Sequence, residues 1–171
     1  MLTIKNTPFQ VQSIELNLRQ RTYEKESIIS LMLDLSFYPR ELDGEIVSGS
    51  ISVVADTNQV HCLNDLEQKT FDQEVKVSCA ISRNGFWEHY DAYDGVLTFQ
   101  TRNKNQIAFT LESKKNELHI EGVATMVSLY TTSTKEKELK ENFQMKDFYQ
   151  TPIKKEIQKR TILKYFVKNE E

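Results

Sequence analysis

Apolar and polar residues alternate along most of the chain with a period of two, which is the pattern of a strand with one dry and one wet face. Ile14, Leu16 and Leu18 point one way, and Glu15, Asn17 and Arg19 the other. Ile29, Leu31, Leu33, Leu35 and Phe37 alternate with Ser30, Met32, Asp34 and Ser36, and Pro39 is expected to close that strand. Gly44 opens the next, over 46–54, which is interrupted by Ser48, Gly49, Ser50 and Ser52. Val75, Val77, Cys79 and Ile81 then alternate with Lys76, Ser78 and Ala80. Runs of this kind suit antiparallel sheets, which can keep one face in water.

A three-stranded meander is the clearest local unit. Leu97 and Phe99 mark its first strand, Arg102-Asn-Lys-Asn105 the turn, and Ile107, Phe109 and Leu111 the second strand. Ser113-Lys-Lys-Asn116 turns into a third strand over 117–130, where Leu118 and Ile120 face inward and Gly122 suggests a β-bulge. Residues 123–127 are apolar on both faces, as expected of a central strand.

Helices are few. Asn64 with Glu67 three residues on predicts a short helix over about 65–71, and Ser133 with Glu136 a charged one to about Asn142. Thr151-Pro152 has the form of an N-cap followed by Pro at the first helical position, with Ile153 and Ile157 at helical spacing. Residues 161–167 read equally well as a last strand or a helix. The expected fold is therefore mainly β: an antiparallel sandwich or a strongly curved sheet, with one to three short helices, the last ones C-terminal. At 171 residues, with no linker and few Gly or Pro, it is read as one domain. Its β-rich body is 1–132, and its charged, partly helical C-terminal segment is 133–171.

Composition narrows the function classes. A net charge of −3 gives no general attraction to nucleic acid, which is not an expected partner. No run approaches the roughly 20 apolar residues of a membrane span, and the N-terminus has no basic-then-apolar leader pattern. The expected location is the cytoplasm. Cys62 and Cys79 match no zinc spacing, and Cys79 reads as a buried free thiol. No nucleotide loop, nucleophile elbow, metalloprotease or redox motif occurs, so neither an enzyme nor a cofactor is expected. His119 reads as a surface residue, and His61 beside Cys62 is at most half a metal site.

His89 lies in Gly85-Phe-Trp-Glu-His-Tyr-Asp-Ala-Tyr-Asp-Gly95, the most unusual stretch of the chain. It combines four aromatics (Phe86, Trp87, Tyr90, Tyr93) with three carboxylates (Glu88, Asp91, Asp94). The plainest reading is a hairpin whose aromatics pack on the core. A catalytic or metal reading needs His89 to converge with a carboxylate. A recognition patch is the third, because Trp and Tyr lead among interface anchors. Segment 154–168 carries six cations against Glu156 alone, and reads as a solvated face complementing the acidic remainder.

The strand Tyr93-Asp-Gly-Val-Leu-Thr-Phe99, then Gln106-Ile-Ala-Phe-Thr-Leu111, then the longer strand from Leu118 resemble the β-rich bacterial immunity proteins of the WapI-type group, over residues 85–127. That resemblance implies a small cytosolic protein that neutralises a toxin. The functional expectation is thus a non-enzymatic protein-binding module that occludes a toxin's basic active-site surface. Phe86, Trp87, Tyr90 and Tyr93 would serve as anchors and Glu88, Asp91 and Asp94 as partners for Lys or Arg. Alternatives are a small-ligand-binding β-barrel or sandwich, and a phage-type assembly component whose strands pair between subunits.

Overall fold

The computed structural model describes residues 1–169; the last two residues of the C-terminal segment lie outside the described residues. Among the described residues, thirteen strands form one continuous sheet. They are β1 (Leu2–Ile4), β2 (Thr7–Phe9), β3 (Val11–Tyr23), β4 (Glu26–Leu42), β5 (Glu45–Thr57), β6 (Thr70–Phe71) and β7 (Lys76–Arg83), followed by β8 (Phe86–Ala92), β9 (Val96–Asn103), β10 (Gln106–Ser113), β11 (Leu118–Thr132), β12 (Ile153–Ile157) and β13 (Arg160–Phe166). The one α-helix among the described residues is α1 (Glu136–Asn142). The order across the sheet is β6-β9-β10-β11-β3-β4-β5-β7-β8, and the sheet does not close into a barrel, which removes that form of the ligand-binding alternative.

The dry faces anticipated from the alternation are the core. Leu16 and Leu18 of β3, Leu31, Leu33 and Leu35 of β4, and Val77 and Cys79 of β7 are all buried in one hydrophobic cluster. Phe99, Phe109, Leu118 and Ile120 of the meander join the same cluster, so the two limbs of the sheet curl over a shared interior. The curl is fastened where the limbs meet. Gly95 N donates to Val75 O at 3.1 Å, and the Asn116 side-chain amide donates to Val77 O at 3.2 Å.

β11 holds the centre because it pairs along both of its edges. β10 and then β13 run antiparallel on it, and so does β1, whereas β3 pairs with it in parallel. The parallel junction has its register shift between Met126 and Ser128. Gly122 is not a bulge: the β10–β11 register runs unbroken through Phe109↔Gly122. A Cβ there would come within 2.9 Å of Ile14 Cδ1, the end of a half-buried side chain that would have to turn aside. Pro39 does not end its strand either. β4 continues to Leu42, and Pro39 sits at the register shift between Phe37 and Arg40, where a ladder donor is dispensable.

The helical expectations shift. The 65–71 helix is a 3₁₀ turn, Leu63–Leu66, whose Leu63 and Leu66 are buried, and Thr70 and Phe71 instead pair with β9. Its cap is Asp65, which accepts from His61 N at 2.7 Å and Cys62 N at 3.2 Å; the His61 bond is the main reason its carboxyl titrates low. α1 starts at Glu136 after a 3₁₀ turn over Ser133–Lys135, and Leu139 anchors it. No helix follows Thr151-Pro152. Residues 153–166 form the β12–β13 hairpin, which also settles 161–167 as strand up to Phe166. The two-residue turn Gln158-Lys159 has φ of 47° and 63°, the mirror-image turn that matches strand twist, built here without Asn or Gly.

Candidate functional site

The aromatic–acidic stretch is a strand at the rim of the sheet. Asn84-Gly85, both with positive φ, supply the tight turn that sends β8 back along β7. β8 pairs only with β7, through Arg83↔Phe86, Ile81↔Glu88, Cys79↔Tyr90 and Val77↔Ala92 among others, and its far edge is open. Pairing alternation divides its side chains. Phe86, Glu88 and Tyr90 continue the face that carries Ile81 and Cys79. Trp87, His89 and Asp91 continue the outer face that carries Ser82, Ala80 and Ser78.

Only Ala92 of this strand is buried. Phe86 is 79% exposed, Trp87 57%, Tyr90 37% and Tyr93 63%. Four large aromatics in solvent within eight residues are not explained by core formation, which excludes the plain hairpin reading for their side chains. Tyr90 and Tyr93 also make polar contacts with their neighbours. The Tyr90 hydroxyl donates to Glu88, and that bond to the carboxylate is the chief reason the phenol titrates above its usual range. Lys5 lies 5.4 Å from the Tyr90 ring centre, and Lys76 lies 5.9 Å from that of Tyr93 while pairing with Asp91 at 3.7 Å.

Asp94 stands apart from the other two carboxylates. Ser113 Oγ donates to it at 2.7 Å and Lys115 N at 2.9 Å, which ties the β8–β9 connection to the β10–β11 turn. Burial works against its charge, but those donors outweigh it and its pKa is lowered. Its role in the fold is to fix the backbone beside Tyr93.

His89 has no hydrogen bond or ion pair among the described residues, and no group of three His, Cys, Asp or Glu there is placed to hold a metal. His61 Nδ1 lies 3.0 Å from Asn142 O, and His119 lies on the surface between Glu112 (3.3 Å) and Glu121 (3.1 Å). Cys79, directly opposite Tyr90, is a buried free thiol pushed up to about 11, first by burial and then by the Asp91 charge.

One part of the surroundings was not anticipated. Across the outer face, Trp87 is opposite Ser82 and Ser82 opposite Ser48; one step along, Ala80 is opposite Ser50 and Ser50 opposite Ser36. Trp87 thus stands at the margin of a patch of short side chains, with His89 next to it along its own strand. The signal was present as Ser or Ala at every second position of 48–52 and 78–82: Ser48, Ser50, Ser52, Ser78, Ala80 and Ser82. An open cleft of about 700 Å³ lies elsewhere, between Tyr23, Asp56, Gln59, Lys69 and Phe71. No helix of the described residues is long and apolar enough to cross a membrane. No protein-family model matches the chain, and comparison with curated proteins and with solved structures finds no match either.

Proposed function

We propose that the chain is a non-enzymatic protein-binding module, and that strand β8 with Tyr93 is its contact edge. The observation that carries this reading is the exposure of Phe86, Trp87, Tyr90 and Tyr93 along one open-edged strand. Such side chains gain most from desolvation and lose little rotamer entropy on binding. Glu88 and Asp91 lie between them and would pair with Lys or Arg of a basic partner surface. In its most specific form the protein is a bacterial cytoplasmic immunity protein that covers a toxin's cationic active site. The WapI-type resemblance supports that form only over residues 85–127.

The test is capture from native lysate with tagged protein and with Trp87→Ala. The reading expects one stoichiometric partner, lost by the variant, while stability changes by less than about 0.5 kcal/mol because the indole is mostly in solvent. A partner retained by a Trp87→Ala, Asp91→Ala double variant would refute this edge as the contact surface.

A further inference from the structure

Two long sheet edges are open, and they are complementary. β12 pairs only with β13, and β8 only with β7. Every residue of β12 is exposed, and its register with β13 runs straight through five pairs, with no bulge to turn the edge away. On one face it carries Ile153, Lys155 and Ile157, and the two isoleucines are 57% and 44% exposed. Lys155 makes no ion pair or hydrogen bond among the described residues. Hairpin 153–160 holds Lys154, Lys155, Lys159 and Arg160 against Glu156, whereas β8 holds Glu88 and Asp91 and neither Lys nor Arg.

The side-chain order matches as well. One face of β8 reads Phe86, Glu88, Tyr90, and one face of β12 reads Ile153, Lys155, Ile157. Laid antiparallel, Lys155 falls opposite Glu88, Ile153 opposite Tyr90 and Ile157 opposite Phe86. These are an opposite-charge pair and two aromatic–β-branched pairs, the cross-strand combinations that stabilise sheets. We propose that β12 of one copy of this chain adds to β8 of the next, extending the sheet from molecule to molecule. Lysines on an edge strand ordinarily repel a second strand; here Lys155 meets Glu88. The two surfaces differ, so the contact is head-to-tail and produces an open chain or a ring rather than a two-fold dimer. This goes beyond the binding-module reading, and it makes the partner and the second copy competitors for β8.

Sedimentation velocity of the full chain, from micromolar to submillimolar concentration and in low and high salt, tests it. The expected result is growth in mass past the dimer as concentration rises, suppressed by salt. Glu88→Lys and Lys155→Glu, both at exposed positions, should each weaken self-association at least tenfold at unchanged thermal midpoint. An equimolar mixture of the two should regain it, because each variant's altered edge then meets a complementary one. A chain that stays monomeric throughout in low salt overturns the proposal, as does a dimer indifferent to both substitutions. A monomer that still captures a partner through Trp87 overturns self-association alone and leaves the proposed contact edge standing.

Discussion

Gly49→Ala probes the joint from which the contact edge hangs, since β8 is attached to the sheet only through β7, and β7 only through β5 and β8. A Cβ at residue 49 would lie 2.2 Å from the Ala80 carbonyl oxygen, 3.2 Å from its carbon and 3.1 Å from Phe37 Cζ. Relief requires the β5 and β7 backbones to part by about 1 Å, because ordinary contact begins near 3.4 Å. A separation of that size carries neighbouring ladder bonds out of the 2.7–3.2 Å range. Two such bonds are worth about 1 kcal/mol each, and turning Phe37 off its rotamer costs up to about 1 more. The lower entropy of the unfolded alanine chain returns about 0.4–1 kcal/mol. The net expectation is a loss of about 2 kcal/mol. With a urea slope near 2 kcal/mol/M, the unfolding midpoint should fall by about 1 M at unchanged slope. Amides of β5 and β7 should also exchange faster than those of the meander. Adding Phe37→Leu should recover only a minor part, because the nearer obstacle is backbone. An unchanged midpoint, or full rescue by Phe37→Leu, would refute the account of why residue 49 is glycine.

Other consequences are open to measurement. With its pKa near 11 against an ordinary 9.0, the Cys79 thiol should carry about a hundredfold less thiolate at pH 8 and resist alkylation until the fold opens. Because that pKa is raised in the folded state, its contribution to stability is complete below pH 9 and disappears as pH rises through 11. A Cys79 that labels as fast as an unfolded thiol would contradict its burial. Asp94→Asn should destabilise by about 1 kcal/mol at neutral pH through its bonds to Ser113 and Lys115. Since the Asp94 pKa is lowered, the deficit should be present above pH 3.8 and vanish as pH falls through the folded value; urea midpoints for both proteins across that range decide it. Gln158→Asn with Lys159→Gly should stabilise the β12–β13 hairpin by about 1 kcal/mol or more, because both residues adopt positive φ. Slower amide exchange in 153–166 is the readout, and unchanged exchange there would count against the turn geometry.

Local pattern determined the elements. Each alternating run became a strand, with its dry residues in the core, because a two-residue period is imposed on the backbone itself. The meander's turns fall where its polar runs place them, although the residues with positive φ there are Lys104 and Glu117, whereas the β7–β8 reversal has the Asn84-Gly85 pair that such a turn favours. The 153–166 hairpin was not: its turn is Gln-Lys, which announces nothing, and Pro152 with Ile153 and Ile157 imitates a helix start. The aromatic–acidic segment could be picked out by composition, but not its place at the rim. Which strand pairs with which is decided by contacts far apart in the chain, and one dry face fits many others. Only the tertiary structure could therefore join β3 to β11 in parallel, seat Gly49 against Ala80, recruit Asp94 as a brace for the β10–β11 turn, and leave β8 and β12 as open edges of opposite charge.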